Sequence, residues 1–204
     1  MGEFQTAVRR QLRDAIVDAA RAQTIANGWD GVRMGAVASA AGVSRQTVYN
    51  EFTDKAGLAE ALARREVDRF VDEVRAALGA HGADVYAGAY AAIAHTLTAA
   101  ADNPLIKAIL TSARGGSDAL LPYLTTRSEL VLTEATGAVL DWARRQLPAL
   151  DPDRATFAAD AVVRLVVSHI VLPVKPPDHT AHHLAALALT LFTPTPTPTP
   201  PSAG

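Results

Sequence analysis

The chain has 204 residues, of which 49% are apolar and 5% aromatic, with no cysteine and a formal net charge of −2. That length suits one ordinary domain, or a small module joined to a larger one, with enough apolar side chains for a sizeable core. The absence of cysteine excludes disulfides, thiolate nucleophiles and cysteine-based metal sites, while the near-neutral balance leaves room for a local basic patch.

The chain opens MGEFQTAVRRQL, without the apolar run of a secretion signal, and no window approaches the roughly eighteen uncharged apolar residues of a membrane span. A cytoplasmic protein with no membrane partner is the expectation. Alanine dominates long tracts and β-branched alternation is scarce, so the reading is all-α. The first helix is predicted from Phe4 to Asn27, with Val8, Leu12, Ile16, Ala19 and Ala20 on one stripe and Gly28 at its C′ position. A very short helix, Met34 to Ala41, stops at Gly42, and another runs from Ser44 to about Phe52. A fourth starts near Asp54 and carries charges for several turns, its Asp68 and Asp72 belonging to a solvated face.

GAHGAD, residues 79–84, holds Gly79 and Gly82 and reads as a boundary after that helix. Beyond it come VYAGAYAAIAHTLTAA, a short helix opened by Asn103 and Pro104, and a broken loop through ARGGSDALLPYLTT. SELVLTEATGAVLDWARRQL reads as an amphipathic helix, and so does DPDRATFAADAVVRLVVSHIVLP, started by Asp151 or Asp153 and ended by Pro173. KPPDHT reads as a linker before a last apolar helix, AHHLAALALTLF. The Thr/Pro tail cannot form a regular helix and is expected to be disordered.

The stretch GVSRQTVYN, Gly42 to Asn50, carries the functional signal. Two short helices joined by a tight glycine turn have the shape of a helix-turn-helix. Ala38 and Ala41 permit a close crossing, Val43 and Val48 point inward, and Ser44 caps the second of the two helices. Val48 and Phe52 share a buried face at i and i+4, leaving Arg45, Gln46, Thr47, Tyr49 and Asn50 to solvent. Arg and Gln can bond base edges, a Thr methyl can meet a thymine methyl, and a Tyr hydroxyl suits phosphate or sugar. By itself the stretch also fits a capped helix with a solvated face.

The longer pattern from Ala38 to Leu58, A-x-x-A-G-V-S-x-x-T-V-Y-x-x-F-x-x-K-x-x-L, follows a first helix ending NGWDG and resembles the DNA-binding domain of the TetR family of transcriptional regulators. The resemblance implies an N-terminal helix-turn-helix DNA-binding domain, residues 1–55, and a C-terminal helical ligand-binding and dimerisation domain, residues 56–192, before the tail at 193–204. It implies a repressor that binds double-stranded operator DNA as a homodimer and is released by a small effector, with residues 44–50 as the recognition helix and Tyr49 and Lys55 on the DNA backbone. An activator, or a ligand- or protein-binding helical dimer without sequence-specific DNA binding, stays open. Arg33 stands where the family usually has a capping Thr or Ser; lacking an acceptor oxygen, it is left to reach a phosphate. Gly35 costs the next helix about 1 kcal/mol. Glu51 is expected to place a negative charge near the DNA and weaken binding or narrow its selectivity.

The resemblance also implies an effector pocket among the central helices. Tyr86, Tyr90, His95, Tyr123 and Trp142 are polar-tipped rings among small apolar neighbours, suited to a largely apolar effector or, equally, to an ordinary core. The last two helices are apolar enough to pair with a second subunit, which makes His169 a core or interface histidine. Asp178, His179, His182 and His183 have metal-like spacing but sit at a helix start without an HExxH signature, and are read as surface. No cofactor is expected. Ser112 and Ser117 near Gly115 and Gly116 have no strand before them, and both nucleotide-binding glycine motifs are absent, so no enzymatic reading stands.

Overall fold

The computed structural model describes residues 2–103 and 128–193. The short helix expected after Asn103, the GGSD loop with its serines, Tyr123 and the Thr/Pro repeat lie outside the described residues. Eight helices are present among those described: α1 (Gly2–Gly31), α2 (Met34–Ala40), α3 (Arg45–Phe52), α4 (Lys55–Gly79), α5 (Val85–Asp102), α6 (Ser128–Gln146), α7 (Pro152–Val171) and α8 (Pro177–Phe192). They divide into two compact units, one from the described parts of Met1–Phe70 and Ala99–Val131, the other from those of Val71–Thr98 and Leu132–Gly204.

In the first unit, α1 buries Ile16, Val17, Ala19, Ala20 and Thr24, whose hydroxyl donates back to the Ala20 carbonyl at 2.7 Å. Val8, expected on the same stripe, is 49% exposed, and residues 4–11 are all exposed: the apolar face of α1 is covered only from Leu12 onward. Gly28 has φ +69° and ψ 164°, an extended positive-φ backbone open only to glycine rather than the left-handed helical one of a C′ cap, and a separate turn, Trp29 to Gly31, follows the kink. That turn sends Trp29 and Val32 into the core.

The turn between α2 and α3 is a Schellman motif. Gly42 has φ +69°, its N–H donates to the Ser39 carbonyl at 3.2 Å, and that of Val43 donates to Ala38 at 2.9 Å. At the far end of α3, Thr53 has φ +62° and ψ −53°, and the Asp54 N–H reaches the Phe52 carbonyl at 2.6 Å. This γ-turn is strained for a β-branched residue. It brings α4 back so closely that a Cβ on Gly57 would collide with the Phe52 carbonyl oxygen. Asp54 accepts the Gly57 N–H at 2.8 Å and starts α4. Leu58, Leu62, Ala63, Val67 and Phe70 then line the core beside Glu66, which is only 2% exposed and pairs with Arg21 at 2.8 Å.

In the second unit the helices meet over small residues. Ala89 and Ala92 of α5, Ala155, Ala158 and Ala159 of α7, and Ala181, Ala185 and Ala188 of α8 are all buried. Asp151, not Asp153, caps α7 by accepting the Arg154 N–H at 2.9 Å. KPPDHT is not a linker throughout: α8 starts at Pro177, because proline at the first helical position is already set to helical φ and gives up an N–H with no helical partner. Asp178, His179 and Thr180 are therefore its first turn. At its other end Arg154 donates to the carbonyls of Leu191 (2.8 Å), Thr190 (3.4 Å) and Thr193.

Candidate nucleic-acid interface

Helix α3 is capped at its start and anchored along one face. The Ser44 hydroxyl accepts the Thr47 N–H at 3.0 Å and exchanges a second bond with the Thr47 hydroxyl at 2.8 Å. Val48 and Phe52 are 0% and 4% exposed and anchor one face in the core. On the other face Arg45, Gln46 and Asn50 are exposed, and Thr47 and Tyr49 are half-buried. These side chains pair along the helix. The Gln46 amide donates to Asn50 Oδ1 at 2.9 Å, and Arg45 lies over the Tyr49 ring, 5.5 Å from its centroid, with Nη2 3.4 Å from the hydroxyl. The result is a row of donors and acceptors at one-turn spacing on a face the width of one helix.

Two further cations stand at the starts of α2 and α4. Arg33 does not cap α2 through its side chain; it donates to the Asp30 carbonyl at 2.5 Å. Lys55 reaches the same carbonyl at 3.5 Å, with its ammonium 5.2 Å from the Trp29 ring centroid. Two cations from separate helix starts are thus drawn together by the turn that follows Gly28.

Glu51 behaves differently from the expectation. Its carboxylate, 11% exposed, is bonded by Arg9 Nε at 2.9 Å and Arg13 Nη1 at 3.0 Å. Arg13 Nη1 also bonds the Glu51 carbonyl at 2.7 Å, and the guanidinium lies 4.4 Å from the centroid of the Phe52 ring. Partial burial pushes the Glu51 carboxyl up, but the hydrogen bonds and charges of Arg9 and Arg13 outweigh it and hold the pKa below its ordinary value of 4.5. The negative charge is turned onto α1 and paired there with two arginines. The arginines stand 42 and 38 residues away in sequence. Their i,i+4 spacing on α1 was the one visible hint, and nothing in it named Glu51 as the partner.

In the second unit, the Tyr86 hydroxyl meets His182 Nδ1 at 2.9 Å, the Tyr90 hydroxyl donates to Asp178, and the Tyr90 ring stacks on His182 with centroids 4.3 Å apart. The Asp178 hydrogen bond is the main cause that raises the Tyr90 pKa above its ordinary value of 10.0. His95 lies 3.3 Å from Glu73. Trp142 is 2% exposed, edge-on to Phe192, and packed so tightly against α5 that a Cβ on Gly88 would come within 3.0 Å of its ring. Its indole N–H has no partner among the described residues. His169 is half-buried. Among the described residues, no group of three or more His, Asp or Glu is placed to hold a metal, and no helix is long and apolar enough to cross a membrane.

Known proteins resemble the chain in both parts. Residues 16–62 match the family model described as bacterial regulatory proteins, tetR family, and residues 84–190 match that of the bacterial Tetracyclin repressor, C-terminal domain. The HTH-type transcriptional regulator AlkX of Mycobacterium tuberculosis is 33% identical over 184 residues, covering 90% of this chain and 86% of that protein. The crystal structure of the TetR family repressor AlkX from Dietzia sp. strain DQ12-45-1b, implicated in biodegradation of n-alkanes, superposes with a TM-score of 0.65 at 29% identity, over 88% of this chain and 94% of that one. The fatty acid degradation regulator FadR from Bacillus halodurans shares the fold, with a TM-score of 0.53 at 20% identity over 86% and 97% of the two chains.

Proposed function

The chain belongs to the TetR family of bacterial transcriptional regulators, and from that premise we propose that it is a repressor that binds operator DNA as a homodimer and is released by a small, largely apolar effector. It is a regulator and not an enzyme. The reading assigns DNA binding to residues 1–55 and effector binding and dimerisation to residues 56–192, with 193–204 as a tail. It places the protein in the cytoplasm, where its operator is.

The observation that carries the DNA half is α3: a capped helix, anchored by Val48 and Phe52, with Arg45, Gln46 and Asn50 exposed in a row. In the proposal these three read base edges and Thr47 offers its methyl to a thymine. Tyr49, Ser44, Arg33 and Lys55 contact phosphate. Glu51, whose free carboxylate would weaken binding to phosphate, is paired with Arg9 and Arg13.

Dimerisation through α7 and α8 is supported by their uncovered apolar side chains: Phe157 is 69% exposed, and Leu165, Leu187 and Leu189 are between 36% and 40%. Tyr86, Tyr90, His95, Tyr123 and Trp142 are proposed to face the effector. The implication of the Dietzia relative in n-alkane biodegradation supports a long-chain hydrocarbon derivative as that effector. Its binding would shift the population between two spacings of the reading heads, which must match major grooves about 34–36 Å apart.

Selection of bound sequences from a random DNA pool, followed by DNase protection, tests the reading. A palindromic site with half-sites one helical turn or a multiple apart is expected. Tyr49→Ala should then weaken all sequences, whereas Gln46→Ala should change the preferred base at one position of each half-site. A pool with no enriched palindrome at physiological salt would overturn the proposal.

A further inference from the structure

The grip on Glu51 has a mechanical meaning. Helix α3 is eight residues long and rests in the core on Val48 and Phe52. Two anchors one turn apart define a line, and a helix held along a line can still roll about it. Glu51 lies about 60° round the helix from Val48, on the flank of that line. A contact there resists rolling.

The contact is made at several points. Arg9 and Arg13 both bond the carboxylate, and Arg13 also bonds the Glu51 carbonyl and lies over the Phe52 ring. That carbonyl belongs to the last turn of α3, where backbone acceptors lack helical partners and a cation is favoured by the helix dipole. Arg13 therefore closes the end of α3 and holds its side chain in one contact. The side chain of Glu51 is 11% exposed, against 41% and 65% for Arg13 and Arg9, so the acid is the fixed member.

We propose that Glu51 is a positioning residue: held by Arg9 and Arg13, it fixes the roll of α3 on α1 so that Gln46, Asn50 and Arg45 meet base edges in one register. It does not touch DNA. Its acidic charge, unfavourable beside phosphate if free, is the attachment point for the helix that reads the bases. The cluster carries two guanidiniums for one carboxylate, so its net charge toward DNA is positive. The inference rests on the DNA-binding reading and adds a role for three residues outside the reading face.

The experiment compares affinity for the selected operator with affinity for a scrambled duplex of the same length, in the full-length protein. Glu51→Gln keeps the shape and removes the charge. A role in positioning lowers operator affinity by roughly tenfold, the factor set by one lost charge-assisted contact. Affinity for the scrambled duplex changes much less, because Arg33 and Lys55 reach phosphate from outside α3. Arg13→Met should reproduce the loss of selectivity, and the double variant should be no worse than either single one. Arg9→Gln, at a mostly exposed position that folding tolerates, should lose a smaller part of it, about two- to threefold.

A Glu51→Gln protein that binds both duplexes more tightly, with selectivity intact, would show that the residue acts only as a repelling charge and would overturn the proposal. If Glu51→Gln does not fold, unchanged selectivity in Arg9→Gln overturns it instead. A wild-type protein that fails to distinguish the two duplexes sinks the DNA-binding reading itself, a different result from loss of selectivity on mutation.

Discussion

The two units are held together by different means. In the first, directed polar contacts join helices far apart in sequence: Arg9 and Arg13 to Glu51, Arg21 to Glu66, and Arg65 to Asp14 and Asp18. Glycines at 42 and 57 and the strained Thr53 turn fix the path between them. In the second, alanine faces close on one another around Trp142 and Phe192. Polar contacts there lie at the margin, such as those of Tyr86 and Tyr90 with the first turns of α8. Directed contacts set an angle; distributed packing sets a volume.

That contrast can be broken at its strongest point by Trp142→Ala. The ring is 2% exposed between Gly88 and Phe192, and its loss should cost about 4 kcal/mol of stability. Denaturant titration measures it; a cost under about 1 kcal/mol would mean that the packing collapses freely and is not specific. Gly57→Ala attacks the other unit by geometry alone. The added Cβ would collide with the Phe52 carbonyl oxygen, so α3 and α4 must part, at about 2 kcal/mol and with loss of operator selectivity. Wild-type melting and binding in Gly57→Ala would show that the close approach of α3 and α4 at Gly57 is not needed.

Ser44→Ala is a smaller change. It takes the acceptor from the Thr47 N–H and should cost about 1 kcal/mol, with a matching drop in thermal midpoint. The smallest effect is a pH dependence. Glu51 has a lowered folded-state pKa, so the stability it supplies is fully present above about 4.5 and fades as pH falls through the lower folded value. The stability gap between wild type and Glu51→Gln should therefore be constant from about pH 7 to about 5 and narrow below about 4.5. A gap independent of pH down to about 3 would mean that the carboxylate gains nothing from its two arginines.

What the sequence disclosed divides along similar lines. The Gly42 turn, the Ser44 cap and the Val48–Phe52 anchor involve residues within a few positions of one another, so chain order alone displays their geometry. All three stand in the structure as read. The Glu51 contact was not legible, because it joins positions 42 and 38 residues apart and a charge does not announce its partner. The engagement of Tyr86 with His182, 96 residues on, was hidden for the same reason. Val8 was misread because periodicity shows which face is apolar, not how far along the helix that face is covered. The start of α8 was misread because two prolines suggested a break where the second begins a helix.

Arg154 bears on how the second unit comes apart. Helices ordinarily fray from their ends, where the last carbonyls lack partners, and the end residues exchange their amide hydrogens first. Here the end of α8 is tied by a side chain from the first turn of α7, across 37 residues of sequence to Leu191. Opening that end means breaking a contact with α7 as well, so the two helices should open as one cooperative unit. Amide exchange in the last turn of α8 should then be nearly as slow as at its centre, and Arg154→Ala should restore ordinary fraying.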